Sequence, residues 1–299
     1  MKSTNILVIL PLQGVVVMRS KLFMCFMALI LLLTLIPFSA PAEAASNLKV
    51  HFINVGQGDS TLIQTPNGKN YLIDGGKKGQ GKVVTAYLKK NGVKKLDAVI
   101  ATHPDADHIG GLITVIKTFK VSAVYAPKVS HTSQTFKEFL SAVKSKKLTI
   151  KTAKKGVKIN TGTKSVSLSF IAPVKTYSKS DLNNWSAVLL LKHNQKKFLF
   201  MGDAETKAEN DMIKQKVLSK VDVLKVGHHG AKNTTSTNFL KKVSPKYAVI
   251  SVGKNSYGHP TSEVWNRLKA RKITTYRTDK SKNVIFTSTG KKVTVKTVK

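Results

Sequence analysis

Thiols are nearly absent from this 299-residue sequence, which holds a single cysteine, Cys25. A lone thiol excludes an internal disulfide and any cysteine-based metal centre, so the fold must be held by its core. Aromatic residues make up only 7%, which argues against a stacking platform that reads bases in sequence. Acids are scarce too, at 15 Asp and Glu against 50 Lys and Arg. No apolar run clearly reaches the roughly 20 residues that a spanning helix requires. Neither a fixed-period repeat nor a long linker interrupts the chain. At this length it has room for one large domain or two modest ones.

What is abundant is lysine, and the net charge is +35. Such a surface attracts polyanions without regard to sequence, so DNA, anionic wall polymers and anionic membranes are the expected neighbours. Solubility alone also accounts for a lysine surface.

The N-terminus addresses the compartment. Met18-Arg19-Ser20-Lys21 is a basic start, Leu22–Ile36 is apolar, and Pro37 breaks the run ahead of Ala42-Glu43-Ala44. That order is a secretory signal peptide with a small-x-small cleavage site, assigned to residues 1–45, with Met18 a candidate true start. Export to the extracellular space or cell wall is expected, with no spanning segment after cleavage. An uncleaved segment would be an N-terminal anchor. Cys25 falls inside the apolar run, so the mature chain has no thiol.

Residues 46–299 read as one domain. Val50–Asn54, Ser60–Gln64 and Asn70–Ile73 are expected strands, with Pro66-Asn67-Gly68 a hairpin turn. Gly81–Asn91 has helical spacing and stops at Asn91-Gly92. Leu96–Ala101 is a buried strand, Leu112–Phe119 a helix, Ala123–Ala126 a strand and Thr135–Lys144 a helix. Short lysine-rich strands follow from Thr149 to Ile171, then a hairpin of Ala187–Lys192 and Lys197–Met201. A helix over Ala204–Leu218 and strands at Val223–Val226 and Ala248–Val252 come next. Ser262–Arg271 is a further helix, and a last hairpin turns near Gly290. Strands and helices alternating in two halves predict an α/β sandwich of two sheets covered by helices.

The chemistry sits at strand ends. Thr102-His103-Pro104-Asp105-Ala106-Asp107-His108-Ile109-Gly110-Gly111 packs four candidate ligands into six residues after an apolar strand. Imidazoles and carboxylates at such spacing converge on a divalent ion, whereas helix capping accounts for Asp107 at most. Asp203 follows the strand ending at Met201, His228 and His229 end another, His259 lies after a third, and Asp74 ends Tyr71-Leu72-Ile73. Each is weak alone, since a histidine after a strand is usually a surface or capping group. Together they gather five of eight histidines. His51, His131 and His193 lie outside these turns and read as structural. Gly56-Gln57-Gly58 with Asp59 and Ser60 is either a rim of backbone amides and a hydroxyl or simply a tight turn.

These residues carry a resemblance. His103, Asp105, Asp107 and His108 match the HxHxDH signature of the metallo-β-lactamase superfamily, with Asp105 in place of its second histidine. Asn54–Ser60, Tyr71–Gly76, Thr102–Gly111, Asn184–Leu189, Gly202-Asp203, Leu224–Gly230 and Tyr257–Pro260 resemble the extracellular hydrolase domain of ComEC-type competence DNA-uptake proteins. The resemblance implies a four-layer αββα fold and one or two divalent ions, Mn²⁺, Mg²⁺ or Zn²⁺. It implies that His103 and Asp105 hold one ion and Asp107 and His108 a second, with Asp203 bridging. His228 would complete the second site, or His229 if the turn is rotated by one residue. The family's third histidine has no counterpart, because Asn184-Trp185-Ser186 occupies its region. The first site would then be oxygen-rich, which favours Mn²⁺ or Mg²⁺. Asp107 and His259 are the expected catalytic groups: Asp107 a proton shuttle as well as a ligand, and His259 a donor to a phosphate or leaving group, or else a ligand. Asp59, Ser60, Asp74, Asn184 and Ser186 are the expected substrate contacts.

Three functions fit. The chain is a secreted nuclease or phosphodiesterase, a small-ester or lactone hydrolase tethered by lysines to an anionic wall, or a non-catalytic binder of polyanions. Cleavage of a polyanion should weaken steeply with salt, and hydrolysis of a neutral ester should not.

Overall fold

The computed structural model describes residues 47–298. The signal-peptide assignment and Cys25 fall outside the described residues. The described residues form one compact unit. Among the described residues no helix is long and apolar enough to cross a membrane.

Two large sheets face each other. The first has eight strands, ordered in space as Val293–Val298, Asn283–Ser288, Leu48–Phe52, Thr61–Gln64, Asn70–Ile73, Ala98–Ile100, Val124–Ala126 and Ile150–Thr152. The second has seven: Thr274–Arg277, Tyr247–Ile250, Val223–Lys225, Lys196–Phe200, Leu189–His193, Val166–Phe170 and Lys158–Ile159. Strand periodicity explains the layering, because alternate residues point to opposite faces. In Lys196–Phe200, Phe198 and Phe200 enter the core between the sheets while Leu199 packs outward. Phe52, Tyr71, Phe170 and Phe286 fill that shared core. The outer face of the first sheet is covered by helices Gly81–Lys90, Ala106–Thr118 and Gln134–Ser145. The outer face of the second carries Thr206–Lys214, Thr237–Val243 and Ser262–Ala270. The architecture is therefore helix, sheet, sheet, helix, as the sequence pattern predicts.

Three differences matter. The helix expected from Leu112 begins at Ala106, so Asp107 and His108 lie in its first turn, not in a preceding loop. Gly110 and Gly111 weaken the helical signal there, but they are what lets the helix dock. A Cβ on Gly111 would overlap the Gly75 carbonyl oxygen. The short helix Thr237–Val243, capped by Ser236 Oγ accepting from Phe239 N at 3.2 Å, has no strong periodicity and escapes sequence reading. So does the edge strand Thr274–Arg277.

Candidate metal centre

The candidate ligands arrive from three strand ends and meet along one end of the two sheets. Ala98–Ile100 feeds His103, Asp105, Asp107 and His108, while Lys196–Phe200 feeds Asp203. Val223–Lys225 leads into the turn Gly227–Gly230, where His228 and His229 both have positive φ, 43° and 52°. Two successive left-handed residues are costly for side chains bearing a Cβ, and they aim the two rings differently. His229 is buried and its neighbour is partly exposed.

Asp203 is the hub. Its Oδ2 lies 3.2 Å from His108 Nε2, 3.4 Å from His229 Nε2, 3.8 Å from His228 Nε2 and 4.0 Å from His103 Nε2. His103 Nε2 is also 3.5 Å from Asp105 Oδ2, and His229 Nε2 is 3.2 Å from Asp107 Oδ2. Three groups among the described residues have ligand atoms close enough to share an ion: His103, His108 and Asp203; Asp107, His108 and His229; and Asp59, Asp74 and His108. They share His108 and so form one continuous cluster. The second group contains His229, the alternative left open by the sequence, while His228 stands on the outer side.

The opposite ring nitrogens are held from behind. His108 Nδ1 is 2.9 Å from Asp74 Oδ2, His229 Nδ1 is 2.9 Å from the Ser251 carbonyl, and His228 Nδ1 is 3.1 Å from Glu205 Oε1. Such outer partners fix the tautomer and point each Nε2 inward. The inward atoms have no hydrogen-bond partner: Nε2 of His103, His108 and His229 and Oδ1 of Asp203 are all buried and unsatisfied. A buried polar atom left unpaired costs about 1–3 kcal/mol, and three such imidazole nitrogens gathered around one buried carboxylate are a poor end state for a folded core. A divalent cation satisfies all of them, and nitrogen and oxygen donors without sulfur suit Zn²⁺ or Mn²⁺. The residues fit a metal.

Charge agrees. Burial opposes ionisation of Asp203, but His108 and His229 hold its carboxyl well below the usual range. Burial likewise disfavours a charged His108, yet Asp203, Asp74 and Asp107 raise its pKa well above 6.5. His229 is raised to about 10 against its burial, chiefly by Asp203 and by bonds to Asp107 and Asp59. Within a chain of net charge +35, this is a local excess of negative charge seeking cations.

Five residues expected to touch substrate are buried and engaged in contacts within the protein. Asp74 is fully buried, with Oδ1 accepting from Thr102 N at 2.8 Å and Oδ2 from Thr102 Oγ1 at 2.7 Å, so it orients His108. Ser60 is buried and donates to the Asp74 carbonyl. Asp59 is spent on Lys225 Nζ at 2.6 Å and on His229 Nδ1 at 3.3 Å. Ser186 Oγ accepts from Asp203 N at 3.0 Å, and Asn184 Oδ1 accepts from Glu205 N and Ala208 N. All five support the cluster from outside it. The Gly56–Gly58 turn packs against the helix, where a Cβ on Gly58 would overlap the Asp107 carbonyl oxygen. His259 stays at the rim, its ring 5.4 Å from that of His228, with a pKa lowered by partial burial and by His228 and His229. His51, His131 and His193 belong to none of these groups.

Sequence reading missed Lys225 and Glu205. Both flank recognised motif residues, and a lysine ending an apolar strand is the one visible hint of a buried cation.

Residues 53–254 match the family model of the metallo-beta-lactamase superfamily. The chain is 31% identical over 261 residues to ComE operon protein 3 of Bacillus subtilis, covering 81% of this chain and 33% of that protein. It is 31% identical over 259 residues to competence protein ComA of Neisseria gonorrhoeae, covering 85% and 34%. The chain thus spans about a third of the length of these relatives. Among solved structures, a mutant of the CmlA beta-hydroxylase superposes with a TM-score of 0.52 at 10% identity, covering 80% of this chain and 53% of the other.

Proposed function

The chain belongs to the metallo-β-lactamase superfamily, and on that footing we propose that it is an exported, metal-dependent phosphodiesterase that cuts DNA or a similar polyanion. The observation that carries the reading is the set of buried, unpaired Nε2 atoms of His103, His108 and His229 facing Asp203. One or two divalent ions bound there would lower the pKa of water and neutralise charge on a phosphoryl group. His103, Asp105, Asp107, His108, Asp203 and His229 would hold them. Asp74, Ser251 and Glu205 keep the rings in place from behind. Asp107, partly exposed beside His229, is positioned to take up a proton as well as to ligate. His259 at the rim would donate a hydrogen bond to a phosphate or leaving oxygen; its lowered pKa favours the neutral ring, whose N–H can make that bond without giving up its proton. His228, half open to solvent and turned toward Asp203, is an outer ligand or a phosphate contact.

The net charge of +35 concentrates a polyanion at the surface, and the resemblance to competence proteins favours DNA. The basic start at Met18 to Lys21, the apolar run to Ile36 and the Ala42-Glu43-Ala44 site support export. The test is cleavage of DNA by the purified protein with Mn²⁺, Mg²⁺ or Zn²⁺. Chelator should abolish it, Asp107→Ala and Asp203→Ala should each remove it, and the rate should fall by orders of magnitude between about 50 and 200 mM salt. Variants that cut as fast as the parent would overturn the site assignment. Hydrolysis of a neutral ester alone, indifferent to salt, would overturn the substrate class.

A further inference from the structure

We propose that a groove beside the metal centre is the track for a single-stranded polynucleotide, a step that rests on the phosphodiesterase reading above. Two adjoining depressions, of about 650 and 560 Å³, share Lys128, Thr176 and Trp185 in their walls. The smaller shares a wall with a void of about 10 Å³ lined by His103, since Ala126, Pro127, Val129 and Phe136 border both. Trp185 precedes Ser186, whose hydroxyl accepts from Asp203 N. The groove therefore lies one wall of side chains away from a candidate metal ligand and runs out past the open edge of the first sheet, at Ile150–Thr152.

Its walls are cationic and its floor is apolar. Lys128, Lys154, Lys155 and Lys179 line the two depressions and are exposed. Among the described residues none of these four has an acidic partner within ion-pair distance; Lys155 bonds only the Gln215 side chain. Solubility does not require them to border exposed hydrophobic side chains, yet they do. Leu140, 39% exposed, and Ile150, 36% exposed, are two of the five large exposed hydrophobic residues among the described residues, and both lie in the groove. That pairing selects the occupant. A duplex presents phosphates and hides its base faces, so it gains little from an apolar floor. An unpaired strand offers phosphates to the lysines and base faces to the floor at once. The polymer is bound by charge and surface without reading sequence, in keeping with the scarcity of aromatic residues.

The test is fluorescence anisotropy of a labelled 20-nucleotide oligothymidylate on the full chain in chelator, so that binding is read without turnover. Replacing Lys128, Lys154, Lys155 and Lys179 by Gln together should weaken binding about tenfold or more and reduce the salt slope by about three. Replacing Lys282, Lys291, Lys292 and Lys296, at the opposite edge of the same sheet, should leave it within about twofold of the parent, as distant rim charges do. Leu140→Ser with Ile150→Ser should weaken the single strand severalfold with an unchanged salt slope and leave a duplex of equal length unaffected. Equal losses from both lysine sets would overturn the groove. So would a duplex or polyglutamate bound as tightly as the oligonucleotide. If metal-loaded protein cuts DNA but the groove variants bind and cut normally, the groove fails and the enzyme reading stands. If the groove variants lose binding while no metal restores cleavage, the groove stands and the enzyme reading fails.

Discussion

Lys225 offers the sharpest test of how the centre is held. It is the one buried lysine among the described residues, 2% exposed, at the end of the strand Val223–Lys225. Its ammonium reaches Asp59 Oδ2 at 2.6 Å and the Val226 carbonyl at 2.7 Å, while Asp59 turns Oδ1 to His229. Lys225→Met keeps most of the stem but strands the Asp59 carboxylate in the interior. Burial raises the Asp59 pKa and Lys225 is the first of the groups that lower it, so the charge loses its main compensation. Breaking one partner of a buried pair costs about 3–5 kcal/mol, against about 0–1 for a surface pair. At about 2–4 °C per kcal/mol for a chain of this size, Tm should fall by about 6–20 °C. Urea denaturation should show a lower midpoint at unchanged slope. Adding Asp59→Asn to Lys225→Met removes the stranded charge and should recover stability, with a coupling of about 1–3 kcal/mol. A single variant that loses less than about 1 kcal/mol, or a double variant no more stable than the single, would refute the argument. His229 would then be held by the Ser251 carbonyl alone.

Three further outcomes follow from the same geometry. Asp74→Asn should weaken metal binding about 10–100-fold, read by competition with a coloured chelator, because His108 loses its carboxylate partner; unchanged affinity would deny Asp74 that role. Gly58→Ala meets the Asp107 carbonyl and Gly68→Ala meets open space, so the first should cost more, by about 1–3 kcal/mol in denaturant melts, although both glycines have positive φ. His51 lies away from the metal centre, and burial followed by the Lys49 charge lowers its pKa to about 4. Between pH 6.5 and 4 the unfolded chain therefore binds the extra proton. Stability should fall with falling pH, by up to about 1.4 kcal/mol per unit, and His51→Gln should remove that part of the slope; parallel curves for the two proteins would contradict it.

The layers and the ligands were legible for one reason: both are written in periodicity and rarity. Phe198, Leu199 and Phe200 declare a strand buried on both faces, and in an acid-poor chain the Asp and His residues that follow such strands stand out. Sequence shortens the helix from Ala106 because Gly110 and Gly111 lower helical propensity, whereas their absent side chains allow close contacts with Lys78 and Gly75 that only the fold reveals.

Side-chain direction at a strand end is the part that sequence withholds. Asp59, Asp74 and Ser186 lie beside the metal motifs, where sequence suggests substrate contacts, and the fold shows each of them bracing a candidate ligand. The same limit left His228 and His229 open. An extended strand would send neighbouring side chains to opposite faces, one in and one out. Here two consecutive left-handed residues let both Nε2 atoms approach Asp203, at 3.8 and 3.4 Å, with His229 inner and His228 outer. Backbone angles of that kind leave no mark in composition when the residues that adopt them are not glycine. A cluster with few histidines thus gains an extra imidazole from a turn that looks, in sequence, able to supply only one.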